Sequence, residues 1–226
     1  MTTSQAEAPD VSGLSIGILG GTGDQGKGLA RRFALAGHDV IIGSRSAERA
    51  HEAARSLDAG PRARGEENAV VAREADIVVV AVPWDGHKAL LESLRDELAG
   101  KIVIDCVNPL GFDKQGAFPL PVEEGSAAQQ AAAVLTGSTV VAAFHHVSAV
   151  VLLDPEVDAV DLDVLVLGDD REATGTVQAL AARIAGVRGV YGGRLRNAHQ
   201  VEAFTANLIA INRRYKAHAG LKITDI

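Results

Sequence analysis

Leu14-Ser15-Ile16-Gly17-Ile18-Leu19-Gly20-Gly21-Thr22-Gly23-Asp24-Gln25-Gly26 decides the fold. Residues 14–19 form a short, mostly apolar run, the pattern of a buried parallel strand. Residues 27–36 follow with Leu29, Phe33 and Ala36 at helical spacing, and Gly37 supplies a stop. The order is strand, glycine turn, helix. A G-x-G-x-x-G run alone says little, because glycine turns are common. Between a strand and a helix it reads as a dinucleotide-binding turn. In that reading Gly21 permits the tight turn, Gly23 lets backbone approach a pyrophosphate, and Gly26 lets helix and strand pack closely. Thr22, Asp24 and Gln25 lie between the glycines. The phosphates then meet free N–H groups at the positive end of the helix. The competing reading is a purely structural turn.

The next strand, residues 39–42, ends at Gly43-Ser44-Arg45-Ser46. NAD enzymes usually place an acid there to hold the ribose 2′-hydroxyl. This chain offers Ser44 and Arg45, with Arg49 one helical turn on. A carboxylate repels a 2′-phosphate, whereas two guanidiniums and a hydroxyl bind it through charge-assisted hydrogen bonds. Arg45 and Arg49 also suit an ordinary exposed helix start. Their place at the strand end favours NADP.

Composition bounds the rest. A chain of 226 residues buries a substantial core, enough for one α/β domain with a small appendage. Only 4% of residues are aromatic, so core and pocket must be mainly aliphatic. The formal charge of −7 argues against nucleic acid or an anionic membrane surface as the main partner. The single cysteine, Cys106, rules out an intrachain disulfide and reads as a small core residue rather than a nucleophile. No segment reaches the ~20 apolar residues of a membrane helix. The first dozen residues are polar and lack a hydrophobic signal core, which predicts a disordered start and a cytoplasmic protein.

The remaining pattern predicts a Rossmann-like, doubly wound, mostly parallel sheet. Helices are expected over 46–57, 66–73 and 89–98, a short edge strand over 62–65, and buried strands over 77–82 and 101–106. Residues 111–125 read as a long loop of the kind that is often functional. Beyond it come a helix over 126–135 and strands over 139–144, 162–167 and 187–190. A helix over 173–185 and a long final helix over 197–218 complete the pattern. The expected division is a nucleotide-binding part, 13–137, and a small C-terminal α/β part, 138–226. In open sheets ligands gather beyond the carboxyl ends of the strands. Thr22, Ser44, Val82-Pro83 and Asn108-Pro109 should therefore line one cleft. Trp84 fits equally as a packing residue and as a cleft wall.

His145 and His146 are adjacent on an extended segment and point to opposite sides, a poor chelate. No cysteine cluster or H-x-x-x-H spacing supports a metal, and none is expected. His145, at the strand end, is the candidate for ligand contact. Neither Tyr191 nor Tyr215 has a lysine four residues on, and no Ser-His-Asp set appears. Asp105, Asp113 and Glu123 are candidate acids that nothing singles out. A carbonyl reductase needs a proton donor at the nascent alkoxide. Its absence suggests hydride exchange between two coenzymes, where positioning supplies most of the catalysis. An NADPH-dependent reductase of a small imine or keto acid, and a non-catalytic redox sensor, are the alternatives.

Residues 20–30, Gly43-Ser44-Arg45 with Arg49, Ala81-Val82-Pro83-Trp84, Ala143-Phe144-His145 and the segment 197–215 resemble the F420-dependent NADP oxidoreductases of archaea and actinobacteria. The resemblance runs over nearly the whole chain from Leu14. It implies a Rossmann-like domain that binds NADP(H), a C-terminal part that covers a pocket for the deazaflavin coenzyme F420, and a homodimer or larger oligomer. Residues 22–25 would hold the pyrophosphate, and Ser44, Arg45 and Arg49 the 2′-phosphate. Val82, Pro83, His145 and Ala149 would surround the two reacting rings. Hydride would pass directly between rings stacked at about 3–3.5 Å. His146 receives no role.

Overall fold

The computed structural model of the chain describes residues 8–226. Ile16–Leu19 (β1) leads through the glycine turn into Asp24–Leu35 (α1), then Val40–Ser44 (β2) and Ala47–Arg55 (α2). Ala63–Glu67 (β3), Asn68–Glu74 (α3), Ile77–Val80 (β4), His87–Ser93 (α4) and Ile102–Asp105 (β5) continue the alternation. Leu110–Asp113 (β6) and Gly116–Pro119 (β7) pair as a separate antiparallel hairpin. Ala127–Val134 (α5), Thr139–Ala142 (β8), Ala149–Leu153 (α6) and Leu162–Leu167 (β9) follow. Arg171–Ala181 (α7), Val187–Gly193 (β10) and Ala198–Tyr215 (α8) complete the fold.

One eight-stranded sheet has the order β10-β9-β8-β5-β4-β1-β2-β3. Strands from β3 to β8 run parallel, and β9 meets β8 antiparallel through Ala142 and Leu167. The chain goes from β1 to one side for β2 and β3, then returns to the other side for β4. That reversal opens the crevice where doubly wound folds bind ligands. Side chains alternate across the strands. Ile16, Ile18, Ile77 and Val79 therefore enter one core layer, and Leu19, Val78 and Val80 the other. Ser126 and Asp170 start α5 and α7 by accepting from the backbone N–H of Gln129 and Ala173.

Two expectations need correcting, the loop over 111–125 and the end of the strand expected over 187–190. The loop over 111–125 contains the β6–β7 hairpin, whose turn closes when Asp113 Oδ1 accepts from the N–H groups of Gln115 (2.7 Å) and Gly116 (3.1 Å). The strand expected over 187–190 is longer: β10 continues to Gly193 past a register shift between Tyr191 and Gly193. The sheet continues across Gly137, so the two parts share one sheet. The expected disordered start falls largely on residues 1–7, outside the described residues. Just beyond them, Val11 is buried, with Leu14 N–H donating to its carbonyl. No helix among the described residues is long and apolar enough to cross a membrane.

The helix behind the glycine turn is anchored from the C-terminal half. Arg32 of α1 is buried, and its guanidinium donates to the carbonyls of Leu152 (2.8 Å), Val151 (2.7 Å) and Val157 (2.7 Å). Phe33 meets Phe144 edge to face at 5.9 Å. Both contacts fix α1 against the turn that carries His145.

Candidate functional site

The left-handed residue of the glycine turn is Gly20, with φ +68°. A Cβ at Gly20 would stand 2.4 Å from Val82 Cγ1, so a side chain is excluded there twice over. Gly21 instead packs closely: a Cβ on Gly26 would stand 2.6 Å from Gly21 Cα. Gly23 is open, with Gly20 O at 3.9 Å the nearest atom to an added Cβ, leaving its backbone approachable. The first helical bond of α1 runs from Lys27 N–H to Gly23 O (2.9 Å). The N–H groups of Asp24, Gln25 and Gly26 thus face outward without helical acceptors, an anion cradle. Asp24 would oppose an anion, but Lys27 Nζ lies 3.4 Å from its carboxylate and offsets it.

A cavity of about 430 Å³ opens beyond that cradle. Gly23, Asp24 and Gln25 line one side, Val82 and Pro83 come from the end of β4, and Cys106 and Asn108 from the end of β5. His145 follows β8, and Thr205, Leu208 and Asn212 of α8 with Ala219 close the far wall. Strand-end position alone brings the first four groups together. The α8 residues were not foreseen.

The turn holding His145 is strained, because Phe144 has φ +64°. Three polar side chains hold it. Gln25 Nε2 donates to Phe144 O (3.3 Å), and Asn108 Nδ2 (2.8 Å) and Thr205 Oγ1 (3.3 Å) donate to His145 O. Asn108→Ala removes the shortest of these while Thr205 remains. It should cost about 1 kcal/mol in urea unfolding. His145 is buried and neither ring nitrogen has a protein hydrogen-bond partner. Burial pushes its pKa down to about 4, so the ring is neutral near pH 7 and is no ready proton donor. His146 is likewise pushed down to about 4 by burial, with the neighbouring His145 adding to it. Its Nε2 accepts a long bond (3.4 Å) from Leu165 N–H.

Other sequence candidates are placed less directly. Ala149 begins α6 but does not line the cavity, where Ser148 stands instead. Trp84 packs on the His87 ring at 5.5 Å, outside the cavity lining. Cys106 donates its thiol to Val80 O (3.1 Å), and burial pushes its pKa up, fitting a core residue. Ser44 is buried at the end of β2, while Arg45 and Arg49 are exposed. A smaller cavity of about 300 Å³ is lined by Thr22, Lys27, Arg49 and Glu52 among others. It joins the glycine turn to Arg49; Arg45, directly after β2, is not among its lining residues. No cluster able to hold a metal occurs among the described residues.

A buried polar network under the β5 end escaped the sequence reading. Asp105 and His87 are fully buried, with Asp105 Oδ2 2.6 Å from His87 Nε2. His87 Nδ1 lies 3.0 Å from Gln130 Oε1. Gln130 Nε2 donates to Glu124 (3.0 Å), which turns the amide oxygen toward His87. Both ring nitrogens therefore face acceptors, so His87 is an imidazolium. Burial opposes that charge, but the Asp105 carboxylate outweighs it and the net shift is upward. Asp105 Oδ1 also accepts from Val107 N–H (3.0 Å), fixing the cavity wall. Glu202 of α8 accepts from the N–H groups of Ala127 (2.9 Å) and Ala128 (3.1 Å), and burial raises its pKa to about 7.

A parallel sheet with a reversal at β1, a glycine cradle and a cleft at the strand ends defines a Rossmann-type dinucleotide-binding protein. Comparison with known proteins narrows this. The profile of the family described as NADP oxidoreductase, coenzyme F420-dependent, matches residues 15–109. The F420-dependent NADP reductase of Methanothermobacter thermautotrophicus is 41% identical over 223 residues, covering 94% of this chain and 96% of that protein. The F420-dependent NADP reductase of Methanocaldococcus jannaschii is 39% identical over 224 residues, covering 94% and 99%. A crystal structure from Arthrobacter sp. FB24, provisionally named an F420-dependent NADP-reductase, superposes with a TM-score of 0.81 at 27% identity, covering 94% of this chain and 100% of that one. The chain belongs to the F420-dependent NADP oxidoreductase family.

Proposed function

We propose that this chain transfers a hydride directly between NADP(H) and the deazaflavin coenzyme F420. The observation that carries the reading is the single cavity in which the phosphate cradle, the ends of β4, β5 and β8, and the face of α8 meet. The family relatives named F420-dependent NADP reductase support the choice of both coenzymes.

The backbone of residues 22–25 binds the pyrophosphate, and Ser44, Arg45 and Arg49 bind the 2′-phosphate, with Lys27 nearby. Val82 and Pro83 on one side and His145 on the other orient the nicotinamide and exclude water. Residues 138–226 cover the deazaflavin through α8. The two coenzymes would carry the hydride chemistry, so the protein's share is alignment, desolvation and electrostatics. A neutral His145 suits that role, because an imidazolium beside a hydride acceptor would invite stray proton transfer. The reading includes a homo-oligomer, supported by an exposed apolar stripe on α8 of Phe204, Ile211 and Tyr215, and a cytoplasmic location.

The test mixes purified protein, NADPH and oxidised F420 and follows deazaflavin absorbance. Its loss at a rate proportional to enzyme is expected. A folded protein that binds NADPH yet leaves the absorbance unchanged defeats the reading.

A further inference from the structure

Beside the main cavity lies a second one of about 590 Å³, between the β6–β7 hairpin and the end of α8. Phe112 and Gly116 line it from the hairpin, and Ile209, Arg213 and Arg214 from the helix. Ile209 also lines the main cavity, so the two adjoin at that residue. A ligand whose ring fills the first space can extend past Ile209 into the second.

The charge of this groove runs against the chain. The protein carries a formal −7, yet two arginines line this groove. Among the described residues, neither Arg213 nor Arg214 has a carboxylate within 4.0 Å. The last turn of α8 accommodates both, because a helix C-terminus favours cations. The one carboxylate lining the groove, Asp113, spends Oδ1 on the backbone N–H groups of Gln115 and Gly116.

Subunit packing on the apolar stripe of α8 does not account for Arg213. Phe204, Ile211 and Tyr215 are spaced by seven and four residues and share one stripe of α8. Ile209 and Arg213, four residues apart, share another, turned well away from it. Arg214, three residues after Ile211, borders the apolar stripe, and a neighbour seated on that stripe leaves the Ile209–Arg213 side of the groove open.

We propose that this groove binds the anionic tail of the deazaflavin, the phosphodiester and carboxylates that lie beyond its ribityl chain. The proposal rests on the activity proposed above and adds a subsite to it. Arginine suits the task, since its planar fork pairs with phosphate and carboxylate in two-point contacts. The chemistry of the ring is untouched, so Arg213 and Arg214 act on affinity alone.

The test compares two acceptors: F420, and the same ring and ribityl chain without phosphate or glutamates. In Arg213→Ala/Arg214→Ala the KM for F420 should rise by about 10- to 100-fold, as for loss of one or two charge-assisted contacts. The KM for the tail-less acceptor and for NADPH should stay within about twofold. Raising the salt should raise the wild-type KM for F420 far more than that for the tail-less acceptor, because exposed charges are screened. An equal change for both acceptors, or none for F420, overturns the proposal. If the double alanine variant fails to fold, Arg213→Gln/Arg214→Gln carries the same comparison, and the salt arm on the wild type decides independently. Wild-type protein that turns over neither acceptor instead defeats the proposed activity.

Discussion

Replacing Arg45 and Arg49 together by alanine is expected to raise the KM for NADPH by about 100-fold while leaving that for NADH within about twofold. Two charge-assisted contacts to a dianionic phosphate contribute about 3 kcal/mol together, and each 1.4 kcal/mol is tenfold in affinity. The loss falls on one nucleotide because the plain ribose offers no phosphate to either guanidinium. Both side chains are exposed and neither has a carboxylate within 4.0 Å among the described residues, so their removal strands no buried charge. The protein should therefore melt as the wild type does. Single variants separate the two roles. Arg49 lines the cavity shared with Thr22 and Lys27, whereas Arg45 is not among its lining residues. Arg49→Ala should cost more than Arg45→Ala. Initial rates over a range of each nucleotide decide this, and equal losses with NADPH and NADH refute the 2′-phosphate assignment.

Strands β1, β2, β4 and β5 were legible because each is a short, mostly apolar run ended by a glycine, proline or polar residue. Ile77–Val80 is the plainest instance, buried on both faces. The glycine turn was legible as a motif but not residue by residue. Whether Gly20 or Gly21 takes the left-handed conformation depends on the approach of Val82 from β4, which local spacing does not encode. The β6–β7 hairpin was invisible for a different reason. Its strands are only four residues long and each contains glycine, and its turn is closed by the side chain of Asp113 rather than by a recognisable dipeptide. The short α6 follows a strained turn and is held by Arg32 from α1, a contact across more than 100 positions.

The site divides the same way. Val82, Pro83, Asn108 and His145 could be grouped in advance because doubly wound sheets gather strand ends. Thr205, Leu208 and Asn212 could not, since which face of a long helix meets the cavity is fixed by packing. The His87–Asp105 pair left one faint trace, an acid closing the apolar run of β5. Only the fold brings an imidazole from α4 beneath it.

Acid should destabilise the ligand-free protein, and the two histidines at the cavity should be the cause. His145 and His146 both have folded pKa values near 4, against about 6.5 in an unfolded chain. Below pH 6.5 the unfolded chain takes up protons that the folded protein refuses. The stability each neutral ring contributes is complete above pH 6.5 and is lost as pH falls through 4. Each shift is worth about 3 kcal/mol at 1.36 kcal/mol per pKa unit. Glu202 works in the opposite direction. Its folded pKa of about 7 exceeds the ordinary carboxylate value, so its protonated form adds stability as pH falls from about 7 toward 4.5. One such gain of about 3 kcal/mol offsets one histidine, leaving a net loss of about 3 kcal/mol between pH 7 and pH 4. His87 does not enter this window, because its raised pKa leaves it charged in both states below pH 6.5. Urea unfolding at half-unit pH steps measures the slope. His146→Leu should nearly flatten it, and Glu202→Gln, which cannot titrate, should about double it. A wild-type slope of zero with both variants parallel to it would show that neither histidine is held neutral by its burial.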